Sequence, residues 1–306
     1  MVKDFIITVD TEGDNLWSFC YGDTVSTKNT EYIPRFQELC EKYGFKPVYL
    51  TNYEMAMDDA WVEYSSEKLS EGKCEIGMHL HAWNTPPLFD LPSLYNGLPY
   101  VTEYPTEIIE KKVAEMIHLL KERYHTDIIS HRSGRWALND EYLDILYKYG
   151  IRVDCSTTPG IDLKLNRGRT VSAGNDYSKY PKRPYMMKNG ILQIPMSTRS
   201  IRRFHGATFK SKVKHLLFGD KLWLRPLSGS LEELTYLTKK IEKESETPCL
   251  EFMIHSSELM PGGSPYFETQ NDIENMFNVM DAYFLDLKNR GYNGCTLKDY
   301  YEKFIY

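Results

Sequence analysis

Two histidines, His79 and His81, stand two positions apart at the end of the short apolar run "EIGMHLH". On an extended chain alternate side chains share a face, so both imidazoles point the same way. Five other polar residues occupy matching places, each where an apolar run ends. They are Asp10 and Glu12 in "TVDTEGD", Arg132 in "SHRSGRW", Asp154 in "DCSTTPG" and His255 in "MIHSSE". Two imidazoles and one carboxylate, with positions left open for water, form the ligand set of a catalytic zinc or similar divalent ion. A second carboxylate nearby can take a proton from water, and a histidine across the site can give one to a leaving group. That combination is metal-assisted hydrolysis of an acyl bond.

Each residue also has a plainer use. A carboxylate pair spaced by one residue often caps a turn. The histidine pair can serve backbone carbonyls, His255 can sit hydrogen-bonded in a core, Arg132 can be an ordinary ion-pair partner, and Asp154 can cap the turn after it. The plain uses must hold at five corresponding strand ends at once, whereas one shared polar site explains them together.

Such a site requires that the ends of these runs meet. The runs "DFIITVD", "FKPVYLT", "CEIGMHLH", "TDIISHR", "IRVDCS", "GILQIPM" and "PCLEFMIH" read as strands. Helical patterns fall between them. Residues 32–43 form one. In "PTEIIEKKVAEMIHLLKERY", Ile109, Val113, Met116, Ile117 and Leu120 share a face. "NDEYLDILYKYG" has Asn139 as N-cap and Gly150 as stop, and a last helix carries Ile273, Phe277, Met280, Phe284 and Leu287 up to Gly291. Strand–helix alternation implies parallel strands with right-handed crossovers, and about seven such units in one chain suit a (β/α) barrel. All strand C-termini then open on one mouth. The expectation is a single domain over residues 1–306, with excursions at about 156–190 and 198–228.

Composition narrows the field. The 306 residues carry a net charge of −6, and nothing global points to nucleic acid. No run approaches the roughly 18 apolar residues of a membrane span. The start, "MVKDFIITVDTEGDN", does not read as a signal peptide, and the six cysteines contain no CxxC pair, so they read as cytoplasmic thiols. A basic run holds Arg199, Arg202, Arg203, Lys210, Lys212, Lys214, Lys221 and Arg225. It is either a solvated helix and loop or a contact for carrier phosphates or a membrane surface.

The order of these motifs resembles the polysaccharide deacetylases, the NodB-homology superfamily of carbohydrate esterase family four. "TVDTEGD" is similar to the first family motif, usually TFDDG, and "EIGMHLH" to the second, whose histidines usually stand four apart. "HRSGRW", "DCSTTPG" and "FMIHSSE" resemble the third, fourth and fifth. The resemblance implies a distorted (β/α)7 barrel that removes N- or O-acetyl groups from glycans with one divalent ion. Zinc comes first, with cobalt, manganese or nickel as alternatives. It makes Asp10 the base and Glu12, His79 and His81 the metal ligands, although Asp10 and Glu12 can exchange roles. Arg132 would orient the base, Asp154 would do the same or pair with His255, and His255 would protonate the leaving group. Trp83 and Trp136, with Trp17 and Tyr266, sit beside motif residues and can stack on sugar faces or pack the core. Here the usual Asp-Asp is Asp10-Thr11-Glu12, and Trp83 occupies the family's second histidine position.

The implied substrate is an acetylated carbohydrate, as a cytoplasmic glycan or surface-polysaccharide precursor. Two other readings stay open: a different amidohydrolase, opening a cyclic amide on the same scaffold, or a catalytically silent carbohydrate-binding barrel.

Overall fold

The first apolar run becomes β1 (Lys3–Thr11), buried along nearly its whole length. Burial on both faces is what a parallel strand covered by helices requires, and it explains an unbroken apolar run in place of alternation. The computed structural model describes residues 2–20, 22–170, 174–201, 220–228 and 230–306. After β1 come α1 (Ile33–Lys42), β2 (Pro47–Thr51), α2 (Tyr53–Met57), α3 (Asp59–Ser70), β3 (Glu75–Leu80), α4 (Thr106–Tyr124), β4 (Ser130–Ser133), α5 (Asp140–Lys148) and β5 (Val153–Asp154). Then follow β6 (Tyr185–Met186), β7 (Leu192–Gln193), β8 (Thr198–Ile201), β9 (Asp220–Trp223), α6 (Leu231–Glu244), β10 (Cys249–His255), α7 (Gln270–Asn289), β11 (Tyr292–Gly294) and α8 (Leu297–Ile305).

The main sheet runs β10-β1-β2-β3-β4-β5-β7-β6, with β11 added beside the start of β1. The seven strands from β10 to β7 are mutually parallel, and only β6 is antiparallel. This curled sheet is the distorted (β/α)7 barrel that the motifs imply. Its gap is spanned by the segment after β7, where Leu224 donates to Ser197 O and Met253 donates to Leu224 O.

Side-chain parity divides the strands. Ile6, Val48, Leu50, Val153, Cys155, Leu192 and Ile194 form a small cluster inside the curl, closed at the strands' N-terminal end by Cys295 and Leu297. The opposite faces join the larger core beneath the helices. Local signals in the sequence set several helix ends. Asn139 Oδ1 accepts from Tyr142 N at 2.8 Å to start α5, and Thr269 and Asp272 form a capping box at the start of α7. The short strands β8 and β9 and helices α3, α6 and α8 add to the expected elements. All six cysteines are free thiols. Among the described residues no helix is long and apolar enough to cross a membrane.

Candidate active site

Register decides which strand-end residues meet. Asp10 pairs with His255, and His79 with Arg132, so each pair projects from the same face into the mouth of the curl. Asp154 pairs with His131. His131 neighbours the inward-facing Arg132, and Asp154 lies between the inward-facing Val153 and Cys155, so both turn to the helix side. There Asp154 Oδ2 lies 2.7 Å from His131 Nδ1, and His131 Nε2 lies 2.9 Å from the Tyr142 hydroxyl on α5. Asp154 also accepts from the backbone and hydroxyl of Ser156. It stands in the sheet–helix interface, and the structure does not bring it to the other predicted site residues.

Glu12, His79 and His81 do meet. Glu12 Oε2 lies 3.4 Å from His79 Nε2 and 3.2 Å from His81 Nε2. One ligand atom from each lies within 4.8 Å of the other two, and all three residues are buried. Bonds of about 2.0–2.2 Å arranged tetrahedrally place neighbouring ligand atoms about 3.3–3.5 Å apart, so this donor set fits a divalent ion such as zinc. The ring of His79 is fixed from behind, where its Nδ1 lies 2.9 Å from the carbonyl of Arg132. That contact puts the proton on Nδ1 and turns the Nε2 lone pair to the site. Burial, then the neighbouring His79, pushes His81 well below the usual histidine range, which keeps it neutral and able to ligate. Burial also opposes charge on His79, but Asp10 and Glu12 outweigh it and raise that histidine. The pair of carboxylates thus favours a positive charge at this spot.

Gly134 makes the approach of His81 possible. A Cβ there would fall 2.3 Å from His81 Cδ2 and 2.6 Å from Leu80 O. Trp83 stacks on the His81 ring at 4.3 Å between ring centroids, with 19° between planes.

Behind these three residues, Arg132 is fully buried and makes four donations. It donates to Asp10 Oδ1 at 2.5 Å, Glu251 Oε1 at 2.5 Å, Thr8 Oγ1 at 2.9 Å and Cys155 O at 3.2 Å. Burial alone would raise the Asp10 carboxyl, but Arg132, His79 and His255 hold it well below the usual carboxylate range. Asp10 is therefore an anion with one oxygen on Arg132 and the other facing His79 and His255, at 4.0 and 3.8 Å.

His255 closes the far side. Its Nε2 lies 3.8 Å from Asp10 Oδ2 and 3.9 Å from Glu12 Oε1, spacing that leaves a small reacting group room between them. Its Nδ1 lies 2.9 Å from Arg225 Nη2. Glu258 Oε2 lies 3.4 Å from the same nitrogen, so Nδ1 accepts from the guanidinium in the neutral ring and donates to the carboxylate in the imidazolium, with Nε2 toward the cleft in both. Glu258 holds this arrangement, accepting from Arg225 at 2.8 Å and from the His255 backbone at 2.8 Å. Burial would raise the Glu258 carboxyl, but Arg225 and His255 bring it down to about 2.

Arg225, Glu258, Glu251 and Thr8 are site residues that strand-end spacing does not single out. The parity of β1 and β10 could have found Thr8 and Glu251, which lie two and four residues before Asp10 and His255. Of the basic run, Arg202, Arg203, Lys210, Lys212 and Lys214 lie outside the described residues. Arg199 pairs with Glu244 at 2.7 Å, and Lys221 donates to Ser200 Oγ at 2.9 Å.

Above these groups opens a cleft of about 550 Å³ whose walls include Trp17, Trp83, Trp136, Arg135, Trp223 and Tyr266. Trp136 and Arg135 both have left-handed backbone, with φ of 60° and 55°. That turn lays the Trp136 ring 5.1 Å from the Arg132 guanidinium. Such conformations cost about 1–3 kcal/mol each and persist where surrounding contacts fix them. Here Tyr177 donates to Trp136 O, and Arg135 donates to Leu98 O and Arg167 O.

No family profile and no curated protein matches this sequence. Solved structures do resemble the fold. A candidate glycoside hydrolase/deacetylase from Parabacteroides distasonis superposes with a TM-score of 0.62 at 10% identity, over 99% of this chain and 71% of that one. A candidate polysaccharide deacetylase from Mycobacterium smegmatis gives 0.56 at 11%, over 99% and 91%. A GH57 branching enzyme from Thermococcus kodakaraensis gives 0.59 at 13%, over 99% and 72%. At these identities the likeness shows the fold, a polysaccharide-deacetylase-like barrel, and the chemistry must be argued from the residues.

Proposed function

We propose that the protein is a metal-dependent hydrolase that removes acetyl groups from a carbohydrate. The observation that carries this reading is one cleft in which Glu12, His79 and His81 converge as ligands opposite Asp10 and His255. A divalent ion on those three ligands, zinc by the nitrogen-rich donor set, would supply Lewis acidity at the acyl oxygen.

The chain's own groups divide the proton work. Asp10, kept ionised by Arg132, takes a proton from the attacking water as its oxygen adds to the acyl carbon. The tetrahedral intermediate then collapses, breaking the bond from the acyl carbon to nitrogen or oxygen. His255 acts as the imidazolium, its Nδ1–H directed to Glu258, and gives the proton on Nε2 to the leaving amine or alcohol, becoming a neutral ring as acetate departs. Arg225 and Glu258 are positioning residues, because their contacts to Nδ1 and to the His255 backbone keep Nε2 turned to the cleft. Trp83 and Trp136 offer ring faces for the sugar. The six free thiols support a reducing compartment, and hence an intracellular glycan or glycan precursor as substrate.

The test is acetate release by zinc-loaded protein from N- and O-acetylated saccharides, with cyclic amides in parallel. Release of acetate that stops on chelation supports the reading. Opening of a cyclic amide without acetate release moves the protein to another amidohydrolase class. Binding of saccharide with no turnover of either kind overturns the enzyme reading.

A further inference from the structure

The cleft does not end at its aromatic rim. Tyr266 and Leu227, which line it, also line a second groove of about 480 Å³ whose other walls are Phe267, Met276, Val279, Asp272, Asn275 and Asn278. The last three are spaced by three along α7, so they share one helix face. Tyr266 is therefore the ridge between two adjoining depressions, and the residue is 47% exposed.

The ridge is rigidly built. Its ring meets Trp17 edge-on at 5.5 Å, and Trp17 is pinned by a 3.0 Å bond from Nε1 to Ser257 Oγ. The loop before it turns tightly. Gly262 has φ of 74° and donates to Phe267 O at 2.9 Å, and a Cβ on Gly263 would fall 2.3 Å from Ser257 O. The turn and Trp17 thus present the Tyr266 ring, half in solvent, between the two depressions.

The lining indicates what the groove takes. Among the described residues no lysine or arginine lines it, and Asp272 is occupied in the capping box of α7. A phosphate or carboxylate would find no cationic side chain among these lining residues. Asn275 and Asn278 are exposed, and among the described residues neither amide has a protein hydrogen-bond partner. An amide both donates and accepts, which suits hydroxyl groups, and an aromatic ring suits the C–H face of a sugar.

We propose that this groove is a saccharide subsite. It holds neutral sugar units of the same chain whose acetylated unit lies in the cleft, stacked on Tyr266 and hydrogen-bonded to Asn275 and Asn278. The proposal rests on the carbohydrate reading above and specifies it: the substrate is an oligosaccharide that runs across Tyr266 toward α7.

Calorimetric titration of the zinc-loaded protein tests this with N-acetylglucosamine against tetra-N-acetylchitotetraose, and with acetylated xylose against acetylated xylotetraose. The wild type should bind one of the tetramers at least about ten-fold more tightly than its monomer. With two neutral hydrogen bonds removed, Asn275→Ala/Asn278→Ala should lose about ten-fold for that tetramer and nothing for the monomer. Tyr266→Ala should lose at least as much for the tetramer. Equal affinity for monomer and tetramer in both series overturns the subsite, as does a double variant that binds the tetramer like wild type. Acetate release is scored separately. A tetramer preference that depends on Asn275 and Asn278, without any acetate release, leaves the subsite standing and removes the catalytic reading.

Discussion

Replacing Arg132 by methionine should destabilise the metal-free protein by about 3–5 kcal/mol at neutral pH, because one partner is removed from a buried ion pair. The guanidinium serves both Asp10 and Glu251, each at 2.5 Å, yet the cost should not double. Burial already raises the Glu251 carboxyl against the pull of Arg132, so without the arginine it takes a proton and keeps its 2.5 Å contact with Thr8. The penalty then falls on Asp10, left ionised and buried. In the wild type the folded value of Asp10 is depressed, so its contribution is present above the unfolded value near 3.8 and lost as pH falls through the folded value. In the variant the folded value rises above 3.8, so the loss is largest at neutral pH and shrinks as Asp10 protonates. Urea denaturation of chelator-treated wild type and Arg132→Met near pH 7.5 and again near pH 4.5 measures both. Arg132→Lys should recover only part, since one ammonium nitrogen cannot reproduce the planar spread of contacts to Asp10, Glu251, Thr8 and Cys155. A loss below about 1 kcal/mol at neutral pH, or the same loss at both pH values, would refute the reasoning.

Asp10→Asn should abolish turnover while the protein still binds metal, since an amide cannot accept a proton from water; kinetics and metal analysis of the same preparation check it. If that variant loses its metal while Glu12→Gln keeps it, the two acidic roles are exchanged. His255→Ala should lower the maximal rate by roughly 10²–10⁴-fold with little change in melting temperature, read by steady-state kinetics and calorimetry. Gly134→Ala should cost about 1–3 kcal/mol and weaken zinc binding, because the added methyl displaces His81; thermal melts with and without zinc measure both effects.

Much of the barrel, and the meeting of Glu12, His79 and His81, was legible because parallel strands leave a plain trace: unbroken apolar runs that end in chemistry-bearing residues. His79 and His81 converge because the chain stays extended to the end of β3, as their spacing implied. Asp154 shows the limit of reading strand ends alone. Its place at the end of β5 is as expected, but parity sends Val153 and Cys155 inward, so Asp154 turns out to His131 and α5. Arg225 and Glu258 were illegible for another reason. Arg225 belongs to a basic run in the sequence, and only the passage of the chain after β9 brings it to His255. Trp136 reaches the cleft through a left-handed turn that no local residue preference announces, since Arg135 and Trp136 both lack glycine's freedom there.

The central claim is that Glu12, His79 and His81 hold one divalent ion. Metal analysis of purified wild type, His79→Ala and His81→Ala, each loaded with zinc and desalted, tests it most directly. Near-stoichiometric zinc in the wild type, lost from both variants, is the predicted result. Zinc retained by His81→Ala would remove that residue from the ligand set. Wild type that holds no zinc, cobalt, manganese or nickel after loading would contradict the account.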